Sequence, residues 1–395
     1  MMIIKRNILS QLQQELTQPE ILILLGPRQV GKTTLLKMLQ ELCEQKGQQT
    51  AFFDLEQPPV LAEFNRSDKE IIQKIFEAGD VVFIDEFQYV SNISKIFKAI
   101  FDSKRKIKIV CSGSSSLEIH THLKESLAGR RFLYRIYPLS YSELKHSLKN
   151  YPLEEYLTFG GMPGLTQTDS PERKQQMLNE LLGSYILKDI KSLVKEENIR
   201  AFNHLLYLLA ENQGSTISVN SLANEVGMSS KAVNHYLDIL EQTYVNYRIS
   251  SYSKNLGNEL KKSCKTYLYD LGIRNVLLKD FSGPEREDYG VILESFVFLK
   301  LQTMLTPNME IKFWRTKDGG EVDFILLKDR QPIPIEVKAT VETSKIPLGL
   351  KRFLTRYPVV SSAYVINGVV NEQTRLGKCG IHYVTFDRFA QDFHE

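Results

Sequence analysis

The sequence predicts an α/β chain: a parallel sheet covered on both faces, then a helical stretch, a winged helix-turn-helix and a second, mixed α/β domain. Three observations carry that expectation. Short apolar runs at 21–25, 51–53, 81–84 and 107–111, the first of them wholly apolar, are separated by helical stretches, the alternation of a parallel sheet whose strands are buried on both faces. Residues 218–253 read as helix, glycine turn, helix and hairpin. From about residue 265, a helix over 294–304 precedes three apolar strands at 311–314, 322–327 and 333–337, whose short turns spell an antiparallel meander.

Each element has a local cause. The run at 21–25 holds no polar residue, and the helix expected over 33–45 repeats Leu35, Leu36, Leu39 and Leu42 at helical spacing. A strand-like stretch at 132–137 closes this domain near Pro138. Residues 151–211 look mostly helical, broken by Gly160-Gly161-Met162-Pro163-Gly164 and by Ser170-Pro171. A short helix over 221–226 and the tight turn Gly227-Met228 follow, then a helix capped by Ser229 with Val233, Leu237 and Leu240 on one face. The β-rich 244–251 comes next. At 395 residues the chain exceeds one ordinary domain, and the expected borders are 1–140, 141–215, 216–262 and 263–395.

Composition narrows the function classes. With 50 Lys+Arg against 47 Asp+Glu the net charge is only +3, so the chain is no general polyanion binder and any nucleic-acid surface must be a local patch. Cys43, Cys111, Cys264 and Cys379 form no CxxC pair, which argues against a disulfide framework or zinc ribbon and fits a reducing cytosol. Residues 1–8 lack the apolar core of a signal peptide. Nowhere do 18 apolar residues run together, so no membrane partner is expected and the chain reads as cytoplasmic.

The strongest chemical signal is Gly26-Pro27-Arg28-Gln29-Val30-Gly31-Lys32-Thr33, which fits G-x-x-x-x-G-K-[ST] after an apolar strand and before a helix. Gly26 and Gly31 let the backbone turn tightly, so that successive N–H groups point at phosphate oxygens. The positive end of the following helix adds to that field. Lys32 suits the β- and γ-phosphates, and the Thr33 hydroxyl suits Mg²⁺. The loop, with Thr34 beside it, is therefore expected to hold ATP with Mg²⁺. Arg28 within it reads rather as a surface or inter-subunit residue.

Four apolar residues at 81–84 deliver Asp85 and Glu86 to a strand end. Asp85 would hold Mg²⁺, and Glu86 would polarise the attacking water. At the end of the run at 107–111 comes Ser112-Gly113-Ser114-Ser115-Ser116, where Ser114 can orient that water, sense the γ-phosphate or merely cap a helix. Arg130 and Arg131 are candidates for an arginine finger, in cis or toward a neighbouring subunit, or are plain surface arginines.

On these motifs the chain resembles a large prokaryotic family of AAA+-like ATPases. Its members join an N-terminal ATPase to a C-terminal domain of unknown function containing a PD-(D/E)XK nuclease-like core. The likeness covers essentially the whole chain. It rests on Gly-Pro-Arg-Gln-Val-Gly-Lys-Thr at 26–33, Ile-Asp-Glu-Phe-Gln at 84–88 and Ser-Gly-Ser-Ser-Ser at 112–116. It also rests on Leu-Ala-Gly-Arg at 127–130, Gly-Gly-Met-Pro at 160–163 and the C-terminal motif below. The resemblance implies a P-loop NTPase sheet of the ASCE type, a helical lid and then a winged helix. Two departures from the AAA+ pattern are a serine at the sensor position and the lack of a second-sensor arginine.

In the C-terminal third, Gly319-Gly320-Glu321-Val322-Asp323-Phe324 precedes Ile335-Glu336-Val337-Lys338. Strand alternation puts Glu336 and Lys338 on one face and Ile335 and Val337 on the core face. An acid followed by Glu-x-Lys is the nuclease pattern that this region resembles. The resemblance implies that Asp323 and Glu336 bind Mg²⁺, that Lys338 acts on water or the phosphorane charge, and that Glu294, early in its helix, is a further metal-binding acid. Polar residues on an open sheet face give the same pattern without chemistry.

The helix over 229–242 offers Lys231, Asn234 and His235 to DNA, whereas Asp238 and Glu241 would repel phosphate. Lys254, Lys261, Lys262 and Lys265 can supply backbone contacts or form a solvated charge run. His120 and His122 have no ligand cluster near them, and Trp314 reads as core. Two functions follow. The first is an ATPase that acts on DNA, with ATP controlling the nuclease-like domain. The second is an ATP-dependent regulatory switch whose C-terminal domain binds partners, another protein or a second copy, without cutting.

Overall fold

The computed structural model describes residues 4–114, 127–184, 199–253, 264–341 and 345–393. The chain divides into two compact units, Met1–Leu139 with Gln242–Val245, and Ser140–Glu241 with Asn246–Glu395.

The first unit runs α1 (Leu9–Glu15), β1 (Ile21–Gly26), α2 (Lys32–Gln45), β2 (Thr50–Asp54), α3 (Pro58–Phe64) and α4 (Asp68–Glu77). It continues with β3 (Val81–Asp85), α5 (Ile93–Asp102), β4 (Lys108–Ser114) and β5 (Arg131–Arg135). All four strand pairs are parallel, in the order β2-β3-β4-β1-β5. With β4 inserted between β1 and β3, this is the strand order of a P-loop NTPase fold. Every residue of β1 and β3 is buried, which explains their unbroken apolar runs. The order brings the carboxyl ends of β1, β4 and β3 side by side, where open α/β sheets hold their ligands.

The second unit opens with α6 (Tyr141–Ser147), α7 (Leu153–Phe159), α8 (Pro171–Leu181) and α9 (Ile199–Glu211). Then come β6 (Thr216–Ile217), α10 (Val219–Val226), α11 (Ser230–Gln242), β7 (Asn246–Ile249) and β8 (Cys264–Leu268). Gly227 ends α10 in the left-handed region, and the Ser229 hydroxyl accepts from the Ala232 N–H at 3.2 Å to start α11. β8 lies between β6 and β7, antiparallel to both. The hairpin therefore closes at 264–268, beyond the border expected at 262.

After α12 (Leu271–Leu278) and α13 (Tyr289–Met304), a mixed sheet is built from β9 (Met309–Arg315), β10 (Glu321–Lys328) and β11 (Gln331–Lys338). α14 (Leu348–Arg356), β12 (Ser362–Asn367), β13 (Glu372–Leu376), β14 (Cys379–Thr385) and α15 (Phe386–Asp392) complete it, in the order β13-β14-β12-β11-β10-β9. The expected meander is β9-β10-β11, antiparallel throughout. Trp314 lies in the core of this sheet, edge-on to Phe353.

Helix α13 starts five residues before the expected 294, so Glu294 stands in its second turn. Gly290 and the β-branched Val291 and Ile292 disguise the first turn, and apolar residues surround the helix, leaving no amphipathic stripe to read.

The Gly-Gly-Met-Pro segment is a packing device. Gly160 ends α7 at a φ of 72°, and a Cβ there would collide with the Asp270 carboxylate. Asp270 Oδ2 accepts the Gly161 N–H at 2.8 Å while Oδ1 caps α12 through the Ile273 N–H at 3.1 Å.

Candidate functional site

The loop between β1 and α2 brings the predicted nucleotide residues together. Gly31 adopts a φ of 94° and Gln29 a φ of 61°, so two left-handed residues fold the loop back over the helix start. Gly26 is needed for a different reason than the expected tight turn. A Cβ on it would strike the carbonyl oxygen of Ile136, whose N–H donates to Leu25 O at 2.7 Å. Pro27 and Val30 are buried, Arg28 is partly buried, and Thr33 and Thr34 are exposed.

Lys32 lies inside the loop, donating to Gly26 O at 3.0 Å and Pro27 O at 2.8 Å, with Glu86 Oε1 at 4.0 Å. Burial lowers its pKa, against the pull of Glu86 and Asp85. Thr33 Oγ1 donates to Asp85 Oδ2 at 2.6 Å, while Ser112 Oγ donates to Asp85 Oδ1. Burial raises the Asp85 pKa, and these two hydroxyls oppose it. A hydroxyl and a carboxylate in contact at the start of α2 fit an Mg²⁺ ion arriving with nucleotide. Thr33 would hold the ion, Asp85 would support it, and it would neutralise phosphate charge.

Glu86 is held in the left-handed region, at a φ of 52°. Its Oε2 accepts the Ser114 N–H at 3.1 Å and the amide of Gln88, and that amide also donates to Ser114 Oγ at 2.8 Å. Gly113 makes this possible, because a Cβ there would come within 2.8 Å of Gln88 Oε1 and Phe87. Ser112 and Gln88 are thus site residues that sequence reasoning missed. The signal for them lies in the motifs at 112–116 and 84–88, each of which carries a second polar position. Ser115, Ser116, His120 and His122 lie outside the described residues.

Arg130 is corrected as a finger acting in cis. Its carbonyl accepts the Ile21 N–H at 2.9 Å, at the start of β1, whereas the phosphate loop leaves from the end of that strand. Five strand residues separate the two, about 16 Å. The guanidinium instead forks onto Asp102, Nε to Oδ1 at 2.8 Å and Nη2 to Oδ2 at 3.2 Å.

In the second unit the fold gathers the four expected nuclease-type residues. Phe324 pairs with Ile335, placing Asp323 beside Glu336 at the next register step. A bulge opposite β9 between Val322 and Ile325 re-aims this stretch, and Asp323 Oδ2 accepts the Val337 N–H at 2.8 Å. Glu336 Oε1 pairs with Lys338 Nζ at 2.7 Å, as their shared face predicted. Part of that face is closed, however: Glu336 is only 5% exposed, with its Oε2 buried and without a hydrogen-bond partner among the described residues, while Lys338 stays exposed.

Lys265 overturns its reading as a phosphate contact. It is 1% exposed, with Nζ 3.1 Å from Glu294 Oε1 and 2.9 Å from Glu321 Oε1. Two positions along β8, on the same face, Tyr267 donates its hydroxyl to Glu294 Oε1 at 2.6 Å. Burial holds Glu294 and Glu336 well above the carboxylate range, and the Asp323 charge adds to it. Burial acts to lower the Lys265 pKa, but Glu294, Asp323 and Glu321 outweigh it and keep the ammonium charged. Among the described residues, no three His, Cys, Asp or Glu side chains are spaced to hold a metal ion. The cluster as folded therefore does not fit the expected Mg²⁺ on Glu294, Asp323 and Glu336. Lys254, Lys261 and Lys262 lie outside the described residues.

On α11, Lys231, Asn234 and His235 are exposed. Asp238 and Glu241, expected to repel phosphate, both pair with Arg248 of β7. No helix among the described residues is long and apolar enough to cross a membrane.

Comparison with known proteins follows the same division. Residues 18–145 match the family model of an AAA domain, while residues 150–283 and 289–387 match two domains of unknown function, DUF8612 and DUF4143. Over nearly its whole length the chain is similar to an uncharacterized protein of Haemophilus influenzae, at 26% identity over 97% of this chain and 98% of the relative. An uncharacterized protein of Mycobacterium tuberculosis is 25% identical over 91% of this chain and 81% of its own.

Among solved structures, the Thermotoga maritima RuvB Holliday junction branch migration motor overlaps 62% of this chain and 90% of its own, at 17% identity and a TM-score of 0.32. The Aeropyrum pernix Orc1 protein in complex with DNA overlaps 69% and 91%, at 12% identity and a TM-score of 0.29. Overlaps that low bring no argument, and the fold rests on the strand order of the sheet. The AAA-domain match over 18–145 and the geometry of the phosphate loop support an ATP-binding ATPase of AAA+ type in the first unit.

Proposed function

We propose that this chain is a magnesium-dependent ATPase that acts on DNA, with its ATP cycle governing a nuclease-like C-terminal domain. One observation carries the reading: Lys32, Thr33, Asp85 and Glu86 converge at the ends of neighbouring strands. Thr33 and Asp85 would hold Mg²⁺ beside the phosphates, and the ion would stabilise charge on the transferring group. Lys32 would turn from the loop carbonyls to the phosphates. Glu86, oriented by Ser114 and Gln88, would take the proton of the attacking water. The DNA arm draws support from α11, whose acids Asp238 and Glu241 both pair with Arg248 while Lys231, Asn234 and His235 stay exposed. ATP turnover by wild type and Glu86→Gln, with and without double-stranded DNA, tests both arms. Turnover unchanged by DNA would remove the DNA arm alone.

A second reading is favoured by Lys265. With an ammonium among its acids, the C-terminal domain serves as a binding module that does not cut, and the chain is an ATP-dependent switch.

A further inference from the structure

We propose that Lys265 is the resident cation of the C-terminal acid cluster and keeps a divalent metal ion out of it. The inference rests on the second reading above, a nuclease-like domain that does not cut, and supplies its physical cause. Burying an ammonium is costly unless it is paired and hydrogen-bonded. Here the fold meets that need: Glu294 Oε1 lies at 3.1 Å, Glu321 Oε1 at 2.9 Å, and the Phe313 ring centroid at 5.6 Å.

The same arrangement is hostile to a metal. A divalent ion needs several oxygens closing on one point at about 2 Å. Glu294 Oε1 already takes both Lys265 and Tyr267, Asp323 Oδ2 takes the Val337 N–H, and Glu336 Oε1 takes Lys338. A metal arriving there would also meet a fixed positive charge. Glu336 Oε2 is buried with no hydrogen-bond partner among the described residues, and the Lys265 ammonium is the cation that the chain itself brings to these acids.

The source of that cation matters. Lys265 and Tyr267 belong to β8, in the sheet of the helix-turn-helix segment, whereas Asp323 and Glu336 belong to the six-stranded sheet. The acids and their counter-ion thus come from separate elements, and one substitution removes the ammonium without touching an acid.

The test is Mn²⁺ binding to the nucleotide-free full chain, read by electron paramagnetic resonance, with DNA cleavage assayed in parallel. Lys265→Met should bind one Mn²⁺ at least about tenfold more tightly than wild type. Adding Asp323→Asn should abolish that gain, and Lys265→Arg should behave as wild type. A folded Lys265→Met with no gain overturns the inference, and if wild type still does not cut, the non-cutting reading survives. Asp323-dependent cleavage by wild type overturns that reading as well. Fluorescence of Trp314 reports folding of this unit. Should Lys265→Met fail to fold, wild type against Asp323→Asn decides: a wild-type Mn²⁺ site lost on that substitution overturns the inference, and equal binding upholds it.

Discussion

Replacing Asp270 with asparagine removes a carboxyl group that is 2% exposed and tied to two backbone N–H groups. Burial pushes its pKa from an ordinary 3.8 up to about 6, against the N–H groups of Gly161 and Ile273. The folded chain therefore holds this proton more tightly than the unfolded chain does. Between pH 3.8 and about 6 the native state binds more protons, so stability falls as pH rises through that window. The shift of roughly two units corresponds to a loss of about 3 kcal/mol, complete above the folded pKa and absent below the unfolded one. An asparagine side chain in its place would present an amide to one of the two donors and would not titrate. The advantage of wild type over Asp270→Asn should thus shrink by about 3 kcal/mol from about pH 4 to about pH 7. Urea unfolding followed by Trp314, the one tryptophan of the chain and a core residue of this unit, measures it. A difference that stays constant with pH, or grows, would mean that the Asp270 proton is held no more tightly in the folded chain than in the unfolded one.

Two further substitutions probe the first unit. Gly26→Ala drives a methyl group into the Ile136 carbonyl and should cost about 1–3 kcal/mol in thermal stability, with weakened ATP binding; unchanged melting would contradict that close approach. Gln88→Ala frees one carboxylate oxygen of Glu86 from the side chain that also holds Ser114. It should lower kcat roughly ten- to a hundredfold with ATP affinity within about twofold; equal loss in affinity would reduce Gln88 to a structural role.

The phosphate loop was legible because its chemistry is local: glycines, lysine and threonine at fixed spacing between a strand and a helix. The parallel sheet was legible from the buried runs at 21–25 and 81–84. What sequence hides is what register and packing decide. Arg130 looked available until its pairing at Ile21 put it at the wrong end of β1. Lys265 looked like a surface lysine, yet it closes on acids 29 and 56 residues further along the chain. Gly26 shows the same limit, since no local rule foretells that Ile136 packs against it. The start of α13 was missed because a helix apolar on all sides carries no periodic stripe.

On the proposed function, the first unit hydrolyses ATP with Glu86 acting on water. The most direct measurement is ATP turnover by wild type and Glu86→Gln, with nucleotide affinity determined on the same preparations. Glu86→Gln should bind ATP within a few-fold of wild type while turnover falls at least about a hundredfold. Normal hydrolysis by Glu86→Gln, or a wild type that neither binds nor turns over ATP, would contradict it.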